Sequence, residues 1–486
     1  MLLTDLAFGA MIAAARSNGQ AGEQSNDVDD TRTPNTSAAL SASTSAGGRP
    51  RREIAGWLLA VMAAHAVFAF VVYPRLAVLV PGYLEEKDAY LEIARNLSAG
   101  HGYAMAPGPH LTLRRMPAYP LSLWGLGQLA GDGRTAVFVF QLGLVAAACL
   151  WVYAMAARQG HRAGLLAMLL FGLYPLVIVY TPRYYSEILL VFFVAGGLHY
   201  LLKFLEGRRS GHFLAAVAML AGAWLTRSVV GFWLGAVLLV LARRGVFSGR
   251  NRWLWVYGLA LFAALISPWC IRNWIVTGHL VAGSTWNERS ALHGVRLIVH
   301  PEVESRSRQL DEMYIRQTNL EIGLRIGPVD SPRQEVREAR ESAGIYWDEL
   351  AAQPGRVLLN WARGFFRVFF LTASPPMRWI GAGVNVLLAL LILLGELRAA
   401  QRRAVPAPPA VPVQPRGWPV EFNQALWLLL GIIYCMYSIL YPHYRYLLPA
   451  LPAAAVLAGR GAATLWPSSI GRRTACEAAP LDPGGR

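Results

Sequence analysis

Two carboxylates and a scattered set of arginines are the residues of this sequence whose types and placement could do chemistry. Asp88 sits in a polar stretch, residues 81–120, and Glu187 ends the run Tyr184-Tyr185-Ser186-Glu187. Arg114 and Arg115 lie in the same stretch as Asp88, while Arg183, Arg227, Arg272 and Arg445 fall in turns or at the ends of strongly apolar segments. A carboxylate can take the proton of an attacking hydroxyl. A guanidinium presents a planar fork that matches phosphate oxygens. Together they suit displacement at a carbon whose leaving group is a phosphate, with a base on one side and positive charge on the other. One carboxylate suffices for such a step, unlike the pair that most glycosidases need. Other roles stay open at this point. Asp88 could be a surface or capping residue, Glu187 a helix N-terminal acid favoured by the helix dipole, and the arginines could meet lipid headgroups or pair with the two acids.

The elements that must position these residues are dictated by apolarity. The 486 residues are 55% hydrophobic and only 15% charged, with a mean hydropathy of +0.36, a balance that fits a polytopic membrane protein and not a soluble enzyme. A span needs about twenty apolar residues. Ten segments qualify or approach that length, at about 54–73, 135–156, 163–180, 187–204, 212–226, 229–242, 253–272, 378–397, 422–441 and 445–465. The break at Thr226-Arg227-Ser228 separates two of them, because one arginine at mid-bilayer costs roughly 2.5–3.5 kcal/mol on insertion scales. The predicted fold is therefore an all-α integral membrane bundle of about ten transmembrane helices, with amphipathic helices in its outer loops. The net charge of +16 comes from short basic clusters between apolar runs, without the basic and aromatic interleaving that nucleic acid would call for. Retention of positive loops in the cytoplasm explains it instead. With the N-terminus inside, Arg51/Arg52, Arg158/Arg162, Lys203/Arg208/Arg209, Arg243/Arg244/Arg250/Arg252, Arg398/Arg402/Arg403 and Arg472/Arg473 are all cytoplasmic. The same count leaves the Asp88 loop, Glu187, Arg227, the loop at about 273–377 and the turn at 443–446 on the outer side.

Tyr90, Ile93, Ala94 and Leu97 recur at helical spacing and predict a helix over Asp88–Ala99 lying along the bilayer surface. Glu85, Glu86, Asp88, Glu92 and Asn96 then fall on its wet side, and Gly100 and Gly102 are placed to end it. Ser331-Pro332 opens a second helix that closes before Gln353-Pro354-Gly355, within an outer loop that reads equally as a lid, an acceptor surface or a solvated subdomain. The chain divides into an N-terminal extension at 1–52, a first membrane core at 53–273 that includes the outer loop 74–134, the large outer loop 274–377, and C-terminal spans at 378–466. A proline-rich linker at 404–419 interrupts the last part, and a tail follows at 467–486. The extension and tail have disordered compositions, and the opening apolar patch lacks the basic start of a signal peptide; an upstream start codon is a further reading. The four cysteines show neither metal spacing nor a disulfide framework. No glycine-rich phosphate loop follows a strand, so nucleotide-sugar binding is not indicated. No metal or other cofactor is called for by a compact ligand cluster, with a bridge between Asp88 and Glu187 the one arrangement left open.

A family resemblance appears on these residues. Asp88-Ala-Tyr90, Asn96-Leu97, Gly100, Gly102-Tyr103 and Arg115-Met-Pro117-Ala-Tyr119-Pro120 resemble the first outer loop of the polyprenyl-phosphate-dependent glycosyltransferases of family 39, in the GT-C superfamily. That family includes the protein O-mannosyltransferases and the lipid A aminoarabinose transferase. Tyr184 to Glu187 resembles its second outer acidic site, with glutamate where relatives commonly have aspartate. Pro268-Trp269-Cys-Ile-Arg272-Asn273-Trp274 resembles its PW-x-x-RN signature, and Tyr444-Arg445-Tyr446 with Pro449 and Pro452 its RY-x-x-P-x-x-P pattern. The Asp-Glu pair of the protein O-mannosyltransferases is absent, since Ala89 follows Asp88, so protein mannosylation is not implied. The resemblance implies a transferase of the inner membrane that moves a sugar from a polyprenyl-phosphate donor to a lipid, glycan or protein acceptor on the outer face. It implies an inverting reaction with Asp88 as base and Glu187 as second acid. Arg115, Tyr119, Arg227, Arg272, Asn273, Arg445 and Tyr446 are then expected to bind substrate, with Arg272 and Arg445 converging on the donor phosphate. A transporter or flippase of an anionic lipid is the alternative, though a transporter should carry its ionisable residues near mid-span. A polytopic scaffold is the third reading.

Overall fold

The computed structural model describes residues 48–79, 88–108, 110–299, 308–367, 375–404, 418–440 and 444–465. Its compact units are Met1–Arg52 and Glu53–Arg486, and the site lies wholly in the second. Among the described residues every regular element is helical. Helix α1 (Gly48–Val67) passes through a π-helical turn, Phe68–Val72, into α2 (Tyr73–Leu79). Two short helices of the first long loop follow, α3 (Tyr90–Ser98) and α4 (Ala118–Ala130). The bundle continues with α5 (Arg134–Ala156), α6 (His161–Gly172), α7 (Pro175–Tyr180), α8 (Glu187–Gly207), α9 (Ser210–Thr226), α10 (Val230–Arg243) and α11 (Leu254–Thr277). The large loop forms α12 (Trp286–Val299), α13 (Arg308–Ile326), α14 (Pro332–Ala352) and α15 (Pro354–Arg367). Helices α16 (Pro375–Ala404), α17 (Val420–Leu440) and α18 (Leu451–Thr464) complete the bundle, a 3₁₀ segment, Tyr444–Ala450, leading into α18.

All ten apolar segments of the sequence are helical. Six helical stretches are long and apolar enough to cross a membrane by length and composition, and four apolar helices are shorter. The expected continuous segment 163–180 is broken into α6 and α7, because Pro175 has no N–H to donate and holds Tyr174 in an extended conformation. Arg227 ends α9 in an extended conformation, as its charge led one to expect.

Burial sorts centre from periphery. The apolar window of α8 is 78% buried and that of α18 is 67% buried, whereas those of α1 and α11 are 11% and 17% buried. Helix α8 packs between α5 and α9, and α18 against α6 and α16. Two glycines let α18 approach so closely: a Cβ on Gly461 would stand 1.7 Å from the Leu391 carbonyl of α16, and one on Gly459 2.6 Å from the Ala163 carbonyl of α6. Small residues serve this purpose between membrane helices, where packing and not water exclusion holds neighbours together. On peripheral α11 the exposed aromatics form two bands, Trp253, Trp255 and Tyr257 at one end and Trp274 at the other. About twenty residues at 1.5 Å each separate them by roughly 30 Å, the thickness of a hydrocarbon core.

Candidate active site

Asp88 does not open the first loop helix; it precedes it. Ala89 takes a left-handed conformation (φ 55°) and α3 starts at Tyr90, so Asp88 leaves the helical register and turns inward. It is only 8% exposed, contrary to the wet-face expectation. Arg115 accounts for this: its Nε donates to the Asp88 main-chain oxygen at 2.8 Å and its Nη2 to Oδ1 at 3.3 Å. Asn96 also points inward, because its amide donates to the Ala104 carbonyl at 2.8 Å and closes the loop after α3. Gly100 and Gly102, at φ 79° and 76°, end that helix as expected. The Tyr103 hydroxyl donates to the carbonyls of Arg115 and Met116, at 3.1 and 3.0 Å, and fixes the arginine's backbone.

Glu187 is the first residue of α8 and is 1% exposed. Arg227 reaches it from the break between α9 and α10, donating from Nη2 to Oε1 at 2.6 Å and from Nε to the Ser186 hydroxyl at 3.4 Å. The Ser186 hydroxyl in turn shares a hydrogen bond with the Tyr90 hydroxyl at 3.2 Å. Tyr90 thus stands between two carboxylate–arginine pairs. Its hydroxyl is pushed above the usual tyrosine range by burial first and by the Asp88 charge second. Tyr119 is fully buried, packs edge-on against Tyr90 with ring centroids 5.2 Å apart and donates to the Arg183 carbonyl at 3.4 Å. Tyr90 and Ser186 are the link that reading the sequence missed. Both stand in the motifs, Tyr90 after Asp88 and Ser186 before Glu187, yet nothing along the chain marks them as partners.

Arg272 lies near the C-terminal end of α11 against the same loop. Its Nη1 donates to the Thr112 carbonyl and to Asn273 Oδ1, both at 3.0 Å, and its guanidinium stacks on Tyr103 and Trp269. Asn273 is fully buried and its amide donates to the Val281 carbonyl at 2.8 Å. Arg115, Arg272 and Tyr103 therefore meet in one loop, while Arg227 joins through Tyr90. The side chains of Arg445 and Tyr446 lie outside the described residues, and with them the expected convergence of Arg272 and Arg445.

The large loop that carries α12 to α15 is latched to this loop. Glu335 of α14 accepts from the Leu113 N–H at 2.7 Å, from the Thr112 hydroxyl at 2.8 Å and from the Thr285 hydroxyl at 3.4 Å. Burial pushes its carboxyl up, against the opposing pull of those donors and of Arg114. Glu338 pairs with Arg114 at 2.8 Å and with Arg289. Trp286, the first residue of α12, carries the guanidiniums of Arg289, Arg115 and Arg114 within 4.9, 5.1 and 5.6 Å of its ring. Three arginines beside one indole and three carboxylates around them join α12 and α14 to the arginine that holds Asp88. Nothing in the local sequence around Glu335 or Trp286 signals this. Among the described residues, no three His, Cys, Asp or Glu side chains gather as a metal ligand set.

Residues 114–272 match the family model described as dolichyl-phosphate-mannose-protein mannosyltransferase, a GT-C glycosyltransferase family, the class whose resemblance the motifs carry. The matched stretch contains Arg115, Glu187, Arg227 and Arg272, and Asp88 precedes it. Among solved structures the chain is similar to the archaeal oligosaccharyltransferase AglB from Archaeoglobus fulgidus in complex with an inhibitory peptide and a dolichol-phosphate. The identity is 14% over 90% of this chain and 53% of that one, with a TM-score of 0.48. It is also similar to ArnT from Cupriavidus metallidurans bound to undecaprenyl phosphate, at 18% identity over 84% of this chain and 78% of that one, with a TM-score of 0.36. The chain spans about half the length of the oligosaccharyltransferase. A comparison with curated proteins finds no match.

Proposed function

We propose that this GT-C-type membrane protein transfers a sugar from a polyprenyl-phosphate donor to an acceptor on the outer face of the inner membrane, with Asp88 as general base. The observation that carries the reading is the junction of two carboxylate–arginine pairs, Asp88 with Arg115 and Glu187 with Arg227, through Tyr90 and Ser186. The candidate acids and arginines gather at one end of the bundle and not at mid-span, which favours transfer over transport. At the opposite end, Arg158 pairs with Glu206 and His161 with Glu53, matching loops that positive-inside retention assigns to the cytoplasm.

A sugar joined through C1 to a phosphate diester already carries its leaving group. The acceptor hydroxyl attacks C1 as Asp88 takes its proton, the C1–O bond to phosphate breaks, and the departing phosphate keeps the electron pair and its negative charge. A single displacement inverts the anomeric carbon. Arg115 orients Asp88, and Arg227, Arg272 and Arg445 supply the positive charge that the phosphate gains in the transition state. Glu187 holds Arg227 in place, Tyr119 backs Tyr90, and Asn273 accepts from Arg272 and holds it.

The test replaces Asp88 by asparagine, which keeps the shape and removes the base. Asp88→Asn should bind a polyprenyl-phosphate sugar as wild type does and transfer at least ~100-fold more slowly in single turnover. Transfer near the wild-type rate in the folded variant excludes Asp88 as the base and points to Glu187.

A further inference from the structure

The first outer loop holds a second feature that the transfer chemistry does not use. Between α3 and α4 lies a cavity of about 430 Å³, within the range of roughly 300–1,000 Å³ that small-molecule sites occupy. Small residues, Ala94, Ala99, Gly127 and Gly131, leave the space, and Leu123 and Trp124 supply its apolar wall. Its polar rim is made of two hydrogen-bonded pairs. Arg95 Nε donates to Asp132 Oδ2 at 2.6 Å, and the Gln128 amide donates to the Ser98 hydroxyl at 3.0 Å.

We propose that this cavity is a binding site for a neutral sugar ring, the carbohydrate head of the acceptor. The rim offers donors and acceptors side by side. Among the described residues the terminal nitrogens of Arg95, the Gln128 carbonyl oxygen and the Trp124 indole N–H have no hydrogen-bond partner in the protein. Adjacent hydroxyls of a sugar each donate and accept, so a guanidinium beside a carboxylate can engage a neighbouring pair of them. Trp124, 40% exposed, offers a ring face or edge to the C–H surface of the sugar. Charge selects against the alternatives. The one cation and one anion that line the cavity are already paired, so the site has no net charge with which to hold a phosphate or a carboxylate. The place also fits. Arg95 to Ser98 lie five to eight residues along α3 from Tyr90, which is two residues after Asp88, roughly 8–12 Å of helical rise, close enough for an acceptor of a few sugar units to reach the base. Leu121 and Leu129, exposed on α4 beside the cavity, suit a lipid tail leaving it.

This inference deepens the transfer reading by naming what docks, and its readout is binding, which does not depend on Asp88. The full-length protein in lipid nanodiscs is titrated with methyl glycosides and disaccharides of neutral hexoses and N-acetylhexosamines, followed by saturation-transfer NMR. Glucuronic acid, glucosamine and inorganic phosphate are the charged comparisons. One or more neutral sugars should bind, and the charged ones at least about tenfold more weakly. Gly127→Leu fills the cavity from a helical position where an added Cβ meets only the Asp132 Cβ at 3.9 Å, and it should abolish the signal. Trp124→Ala and Gln128→Ala alter exposed side chains and should each weaken binding about tenfold, as losing one aromatic wall or one hydrogen bond does. Trp124→Phe should keep most of it. Asp88→Asn should bind sugar as wild type does. Absence of binding by every sugar of the panel, equal binding to wild type and Gly127→Leu, or preference for the charged comparisons would each overturn the site. Slow transfer by Asp88→Asn together with any of these outcomes rejects the cavity alone; normal transfer with cavity-dependent binding rejects only the role of Asp88.

Discussion

Replacing Glu335 by alanine should release α12 and α14 from the loop that carries Arg115. Two strong bonds disappear, from the Leu113 N–H at 2.7 Å and the Thr112 hydroxyl at 2.8 Å, together with the contact to Arg114 at 3.7 Å. A hydrogen bond to a charged group contributes about 1.5–3 kcal/mol, so the two sum to about 3–6 kcal/mol. Removing a carboxylate whose burial outweighs its partners returns part of this. A net loss of about 2–4 kcal/mol is expected, because Leu113 and Thr112, 0% and 2% exposed, leave their donors without water. Hydrogen exchange should read it as faster exchange of the amides at 110–116 and along α12 and α14, with a lower melting temperature. The pH dependence has a definite sign. A glutamate raised above its ordinary 4.5 in the folded state contributes stability that is full below that value and is lost as pH rises through the raised one. The wild-type latch should therefore weaken across that window, and Glu335→Gln, which cannot titrate, should show a flatter profile. Unchanged exchange and melting in Glu335→Ala would refute the latch, and an undiminished pH slope in Glu335→Gln would refute Glu335 as its titrating group.

Arg227→Leu strips the guanidinium from Glu187, which is 1% exposed, and should destabilise by about 3–5 kcal/mol. The double variant Arg227→Leu/Glu187→Gln should recover part of that loss in a thermal double-mutant cycle, and strict additivity would argue against the pair. Gly461→Ala must separate α18 from the Leu391 carbonyl, a loss of about 1–3 kcal/mol or more. Gly235→Ala, where nothing lies within 4 Å, should be neutral or slightly stabilising in the same melting assay. Cysteines introduced near residues 100 and 320 should react with an impermeant reagent added outside intact cells, and reaction only after permeabilisation would reverse the orientation.

What could be read from the sequence was local. Ten apolar segments, the arginine break at Arg227, the glycine ends of α3 and the Ser331 start of α14 all follow from a residue and its near neighbours. Helix formation in an apolar medium leaves the backbone little choice. The acids and arginines were equally visible, because charged residues at the ends of apolar helices stand out by type. Their partners were decided only in three dimensions. Asp88 was expected to face water and turned inward, since one left-handed residue, Ala89, breaks the register that periodicity assumes. The bond between Thr112 and Glu335 joins residues 223 positions apart. The Tyr90–Ser186 contact spans 96 positions. Such pairings depend on which helices pack together, and that is set by the summed shape of many apolar side chains and by glycines such as Gly461. No spacing along the chain records it.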